Sequence, residues 1–168
     1  MNQELKSYKI KEEIGEGGFG KVYRAYQPLI EREVAIKAIL PIHASQPDFI
    51  RRFEAEAHLI ARLEHPHIVP LYDYWRDPTG AYLVMRWLRG GNLLELMEKT
   101  SGSLDLEKIA KLLDQITDAL SIAHQHDVVH QDIKPENILL DEHGNAYLSD
   151  FGIAQDLRTG LNLAKEEG

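Results

Sequence analysis

The sequence predicts an α+β fold of two lobes: a five-stranded antiparallel sheet with one helix comes first, and a mainly helical part follows. Three observations carry that prediction. Short β-branched and aromatic runs around Gly-, Pro- and Asp-rich turns fill the chain as far as Met85. After Gly90-Gly91 the apolar residues recur at three- and four-residue spacing, the period of a core-facing helix. The 168 residues suffice for one domain with a sizeable core or for two small lobes sharing a cleft.

Residues 8–26, YKIKEEIGEGGFGKVYRAY, read as two strands around a glycine-rich turn. Gly15, Gly17 and Gly20 form G-x-G-x-x-G, a pattern shared by several nucleotide sites. A dinucleotide fingerprint opens a helix, whereas Lys21 to Tyr26 is β-branched and aromatic and favours a second strand. Gly15 and Gly20-Lys21 also fit the start of a Walker A loop, but Val22 has no hydroxyl for magnesium and again no helix follows. Two readings remain: a hairpin without a ligand, or a flexible loop with Phe19 at its tip whose N–H groups approach a triphosphate.

Glu33 to Leu40, EVAIKAIL, reads as a buried strand with Ala35 and Lys37 on one face and Val34, Ile36 and Ala38 on the other. Ser45 to Leu63 reads as a helix, opened by Ser45-x-x-Asp48 with Pro47 in the first turn, striped by Phe49, Phe53, Ile60 and Leu63, and ended by His65-Pro66. Ile68–Tyr74 and Ala81–Met85, joined by a turn at Asp77 to Gly80, complete the sheet. Asn92 can cap a short helix over Leu93 to Lys99. A long helix from Asp105 to Gln125 carries the stripe Leu106, Ile109, Leu113, Ile116, Leu120 and Ala123. Ile138–Leu140 and Ala146–Leu148 then form a hairpin that delivers Asp150.

The chemistry concentrates in His130 to Asn137, HQDIKPEN, and in Asp150-Phe151-Gly152. Phosphoryl transfer needs a carboxylate to orient a hydroxyl, hard oxygen ligands for a divalent cation, and a cation for charge developing on the transferred group. Asp132, then Asn137 with Asp150, then Lys134 offer those in order. Either motif alone reads better as a polar loop; both together, in this order, point to a phosphate and metal site. The eight histidines offer no competing metal pattern: His65 and His67 straddle a proline, His124 and His126 end a helix, and no H-x-x-x-H pair has a nearby Glu.

Composition narrows the class. With 43% hydrophobic and 27% charged residues the chain reads as soluble and globular, and a net charge of −8 without a basic block argues against a nucleic-acid surface. No cysteine is present, which excludes disulfide, thiolate and Cys–zinc chemistry. No apolar run reaches the roughly 20 residues of a membrane helix, and MNQELKSYK lacks a signal-peptide core, so a cytoplasmic protein is expected.

From about Tyr8 to Gln155 the glycine loop, VAIK, HxDxKPxN and DFG together resemble the eukaryotic-like (Hanks-type) serine/threonine protein kinases of bacteria. The resemblance implies a kinase N-lobe over 1–85, a hinge over 86–88, and a partial C-lobe over 89–168 ending within the activation segment. It implies Mg-ATP as cofactor, a protein Ser/Thr hydroxyl as substrate, and a role in signalling by phosphorylation. Asp132 and Lys134 would serve the transfer, with Lys37 held by Glu56 for the phosphates. Asn137 and Asp150 would hold Mg2+. Ile14, Gly15, Gly17, Gly18, Phe19, Gly20, Val22, Ala35, Lys37, Met85, Arg86, Leu88 and Leu139 would surround the nucleotide, with Met85 as gatekeeper, backbone groups of Arg86 to Leu88 at the adenine edge, and Leu139 as the floor. His130 would pack under Phe151. Lys134-Pro135 after the Asp points to Ser/Thr rather than tyrosine enzymes.

Two departures follow. Gln131 stands where most members carry the Arg that pairs with an activation-loop phosphate, which weakens Thr159 as a phosphosite. The sequence ends at Gly168 without an A-P-E motif, so an apolar face of the long helix is expected to need a covering partner or further chain. The alternative function is a nucleotide-binding or scaffolding pseudokinase without transfer activity.

Overall fold

A computed structural model describes residues 4–17, 20–40 and 47–151. The chain divides into two compact units, one built from the described residues up to Ala61 with Pro70–Trp87, the other from Arg62–Val69 with the described residues from Leu88 onward.

The first unit is a twisted antiparallel sheet of β1 (Glu4–Leu5), β2 (Tyr8–Gly17), β3 (Gly20–Gln27), β4 (Arg32–Ile39), β5 (Leu71–Asp77) and β6 (Gly80–Arg86), in the order β1-β2-β3-β4-β6-β5. The five expected strands are present, and the two-residue β1 adds a sixth at the edge by pairing with Tyr8 and Lys9. The ladder between β3 and β4 runs unbroken from Gly20↔Ile39 to Gln27↔Arg32, closed by a single 3-10 turn at Pro28–Ile30. Strand alternation segregates the two faces. Tyr8, Ala25, Val34, Ile36, Tyr82 and Val84 form a buried cluster on one face, joined by Leu5, Ile10, Ala38 and Trp75. Trp75 stacks between Tyr8 and Tyr82, with ring centroids 5.9 and 4.7 Å away.

Helix α1 (Pro47–Ile60) buries Phe53 and Ala57, and Phe53 meets the edge of Tyr74 at 6.2 Å. The expected start at Ser45 lies outside the described residues. The expected end at Leu63 moves back to Ile60, because the chain turns at Ala61-Arg62 and leaves Leu63 buried in the second unit. Strand β5 begins at Leu71 rather than Ile68. Pro70 has no N–H to give, and the residues before it bond elsewhere: the Val69 N–H donates to the Leu148 carbonyl at 2.9 Å and the Leu148 N–H to the His67 carbonyl at 2.8 Å.

In the second unit, α2 (Leu93–Lys99) is capped reciprocally, Asn92 accepting from the Glu95 N–H at 2.9 Å while its amide donates to Glu95 Oε1 at 2.8 Å. Asp105 caps α3 (Leu106–Gln125) through the Lys108 N–H at 2.7 Å. The buried face of α3 is Leu112, Ile116, Ala119 and Ala123. This corrects the expected stripe: Ile116 and Ala123 belong to the core, but Leu106 is 84% exposed, Leu113 58% and Ile109 36%. The helix carries two apolar rows at helical spacing, and the row with the small residues Ala119 and Ala123 allows the close approach of the hairpin β7 (Ile138–Leu140) and β8 (Ala146–Leu148). Gln115 fastens that hairpin, accepting from the Ala146 N–H at 2.8 Å and donating to Asn145 Oδ1 at 3.2 Å. Among the described residues no helix is long and apolar enough to cross a membrane.

Candidate active site

The two units contribute separate sets of expected residues. In the first, Val22 pairs with Lys37 and Ala35 with Met85 across the ladders, and Ala35 and Lys37 lie two apart on β4, so all four share one sheet face. That face is opposite the one carrying Val34 and Ile36. Gly15 pairs with Val22, and Ile14 beside it is 43% exposed. At Gly20 a Cβ would collide with the Ala38 carbonyl oxygen, so only glycine allows β3 to leave the loop this close to β4. Gly18 and Phe19 lie outside the described residues, and for Gly17 only the backbone is described. Glu56 lies on α1, but its side chain also lies outside them, so the expected pair with Lys37 does too. The Arg86 N–H donates to the Pro70 carbonyl at 3.1 Å at the end of β6.

In the second unit the loop after α3 brings Asp132, Lys134 and Asn137 together. Lys134 Nζ lies 2.8 Å from Asp132 Oδ2, and the Asn137 amide donates to that same oxygen at 3.0 Å and to the Asp132 main-chain carbonyl at 2.8 Å. Pro135 fixes the first residue of a 3-10 turn, Pro135–Asn137, which carries Asn137 back under Asp132. The Asn137 carbonyl then accepts from the N–H and the hydroxyl of Ser149, each at 3.0 Å. Ser149 precedes Asp150, so the loop and the Asp150 segment are tied through one residue. Gln131 and Asp150 both adopt left-handed backbone, with φ of 63° and 58°. Such conformations cost a non-glycine residue about 1–3 kcal/mol and cluster at functional sites.

His130 is buried and sets the frame beneath. Its Nε2–H donates to the Ser149 carbonyl at 2.8 Å, its Nδ1 faces the Asp132 N–H at 3.4 Å, and its ring lies 4.5 Å from that of Phe151. Burial pushes its pKa below the usual imidazole value, against the hydrogen bond to Ser149 and the charges of Asp150 and Asp132, which favour the proton. Both hydrogen bonds fit the neutral ring. Leu88 is buried, and Leu139 lies on β7 beside Asn92. Gly152 and Thr159 lie outside the described residues.

Two contributors escape a reading by motif. Ser149 carries no signal, being a lone hydroxyl. Asp141 does carry one, an Asp-x-x-x-Asn turn. It is buried and accepts from the His143 N–H at 2.9 Å, the Asn145 N–H at 2.8 Å, the Asn145 amide at 2.9 Å and the Tyr147 hydroxyl at 3.2 Å. Burial raises the Asp141 pKa, but these donors outweigh it and hold the carboxyl below its usual value.

Asn137 and Asp150 suit magnesium by donor type. Both offer hard oxygen, and with the Asn137 amide hydrogens turned to Asp132 its carbonyl oxygen points away from that carboxylate. Among the described residues no group of three or more His, Cys, Asp or Glu could hold a metal by itself. Mg2+ commonly takes one or two protein ligands and completes its shell with phosphate and water.

A family model for the protein kinase domain matches residues 8–168. The chain is 41% identical over 150 residues to the serine/threonine-protein kinase PrkC of Bacillus subtilis, covering 89% of this chain and 23% of that protein. It is 39% identical over 153 residues to the serine/threonine-protein kinase PknA of Mycobacterium tuberculosis, covering 88% and 35%. It is 35% identical over 159 residues to the serine/threonine-protein kinase PknD of Protochlamydia amoebophila, covering 88% and 16%. The chain thus spans about a third or less of the length of these curated relatives.

Proposed function

This chain belongs to the protein kinase domain family, and on that premise we propose that it transfers the γ-phosphoryl group of Mg-ATP to serine or threonine hydroxyls of proteins. The observation that carries the proposal is the convergence of Lys134 and Asn137 on Asp132, 2.8 and 3.0 Å from one carboxylate oxygen. In this reading 1–85 is the N-lobe, 86–88 the hinge and 89–168 part of the C-lobe, with the nucleotide between lobes.

Asp132 orients the substrate hydroxyl and accepts its proton as the oxygen bonds to the γ-phosphorus and the bond to the ADP oxygen breaks. Asn137 restrains the carboxylate, and Lys134 offers its charge to the transferred group. Lys37, steadied by Glu56, positions the α- and β-phosphates, and the loop from Gly15 to Gly20 covers them. Ile14, Val22, Ala35, Met85, Leu88 and Leu139 enclose the base. Asn137 and Asp150 hold magnesium, which when bound neutralises charge on the phosphate oxygens.

The names of the relatives support the Ser/Thr assignment, as does Lys134-Pro135. A reading without transfer is not favoured, because the loop holds all three of its chemically active side chains together. The test is phosphorylation of a mixed Ser/Thr/Tyr peptide pool by the chain with labelled ATP. The proposal expects label on Ser or Thr that Asp132→Asn removes; label on Tyr, or label that survives Asp132→Asn, contradicts it.

A further inference from the structure

Arg24 lies outside the set named above, yet it stands on the same sheet face. It pairs with Glu12 across β2 and with Ala35 across β4, and Glu33 lies two residues before Ala35 on the same side. Three groups converge on its guanidinium. Nη1 donates to Glu12 Oε1 at 2.7 Å, Nε lies 3.3 Å from Glu33 Oε1, and the central carbon sits 4.9 Å from the centroid of the Trp87 ring. Because Met85 pairs with Ala35, Trp87 comes level with Glu33 just as the chain leaves β6.

A sheet-surface ion pair is the plain reading, and exposed pairs add little to stability. Two details argue for more. Nε of Arg24 is buried without a hydrogen bond of good geometry, so its approach to Glu33 is ionic only. Arg24 gives up a hydrogen bond there and gains a place over the indole, where a guanidinium is held by the ring's electrons. Trp87 in turn lies in 86–88, the hinge of the proposed function, whose backbone the family resemblance sets at the adenine edge.

We propose that Arg24 is a positioning residue for nucleotide binding: braced by Glu12 and Glu33, it pins the Trp87 side chain and so sets the backbone at Arg86-Trp87. The inference rests on the nucleotide-binding reading above. It concerns the base end of the site, away from the phosphates and the transfer.

Trp75 and Trp87 are the two tryptophans of the chain, so Trp75→Phe leaves Trp87 as a single fluorescent reporter. In the full chain with that substitution, Mg-ATP is titrated while Trp87 emission and, separately, heat of binding are followed. Arg24→Ala is expected to change Trp87 emission before nucleotide is added and to raise the dissociation constant about five- to tenfold. Arg24→Lys, which keeps the cation but not the fork between two carboxylates, is expected between the two. Glu33→Gln is expected to weaken binding about twofold, and it decides the matter should Arg24→Ala not fold. Unchanged affinity in these variants, or unchanged Trp87 emission in Arg24→Ala, overturns the inference while leaving nucleotide binding intact. Absence of Mg-ATP binding by the Trp75→Phe parent and by the unsubstituted chain overturns the nucleotide reading itself, and the inference with it.

Discussion

Asn137 is bound twice to Asp132, through its main-chain carbonyl at 2.8 Å and its carboxylate at 3.0 Å, from a side chain only 6% exposed. The pair converts a five-residue separation in sequence into one rigid unit. Removing this buried amide breaks both bonds and takes away the restraint they place on Asp132. Asn137→Ala is therefore expected to destabilise the protein by about 1–3 kcal/mol, read as a lower midpoint in urea unfolding.

Asp132→Asn preserves shape and one acceptor oxygen but cannot take a proton at neutral pH. Under the proposed function its phosphorylation rate falls by about 10²- to 10⁴-fold. Mg-ATP affinity, measured by calorimetric titration, stays near that of the parent.

Acidification is expected to destabilise the protein through His130. The pKa of this buried ring is lowered in the folded state, so below the unfolded value of about 6.5 the unfolded chain binds more protons than the folded one. Stability is complete above that pH and is lost as pH falls towards and through the folded value, by at most about 1.4 kcal/mol per pH unit. Urea unfolding at pH 7.5 and 5.5 checks this. His130→Gln, which keeps a donor for Ser149 but does not titrate, is expected to flatten the difference. The depressed pKa of Asp141 acts near and below the ordinary carboxylate range, outside that window.

Gly90 bonds β7 from the side, its N–H donating to the Leu140 carbonyl at 2.8 Å, while the Leu140 N–H returns a bond of 2.8 Å to the Gly91 carbonyl. A Cβ at Gly90 would meet the Asp141 carbonyl and stand 2.7 Å from the Leu140 oxygen, all of it backbone that cannot step aside. Gly90→Ala is expected to cost about 1–3 kcal/mol, measured by chemical denaturation.

Most elements were legible because their signals are local. EVAIKAIL alternates, Asn92 and Asp105 announce their helices, and HQDIKPEN carries its chemistry in residue types. The misses have tertiary causes. Leu106, Ile109 and Leu113 satisfy helical spacing as well as Leu112, Ile116 and Ala119 do, and only the approach of β8 decides which row is buried. The start of β5 depended on Leu148, eighty residues away, claiming the backbone of His67 and Val69. Ser149 became a tie between loop and hairpin only once both were folded. At the site, sequence supplied the identities of Asp132, Lys134 and Asn137; their convergence on one oxygen is a property of the fold.

The most direct test of the central claim is a thermal melt of the chain with and without Mg-ATP, beside Lys37→Ala and Asp150→Ala. At a ligand concentration about one hundred times the dissociation constant, linkage contributes about 2.7 kcal/mol, which for a chain of this size raises the midpoint by roughly 5–10 °C. The account predicts that rise in the parent and a much smaller one in both variants. A midpoint indifferent to Mg-ATP, or one raised equally in all three proteins, would contradict it.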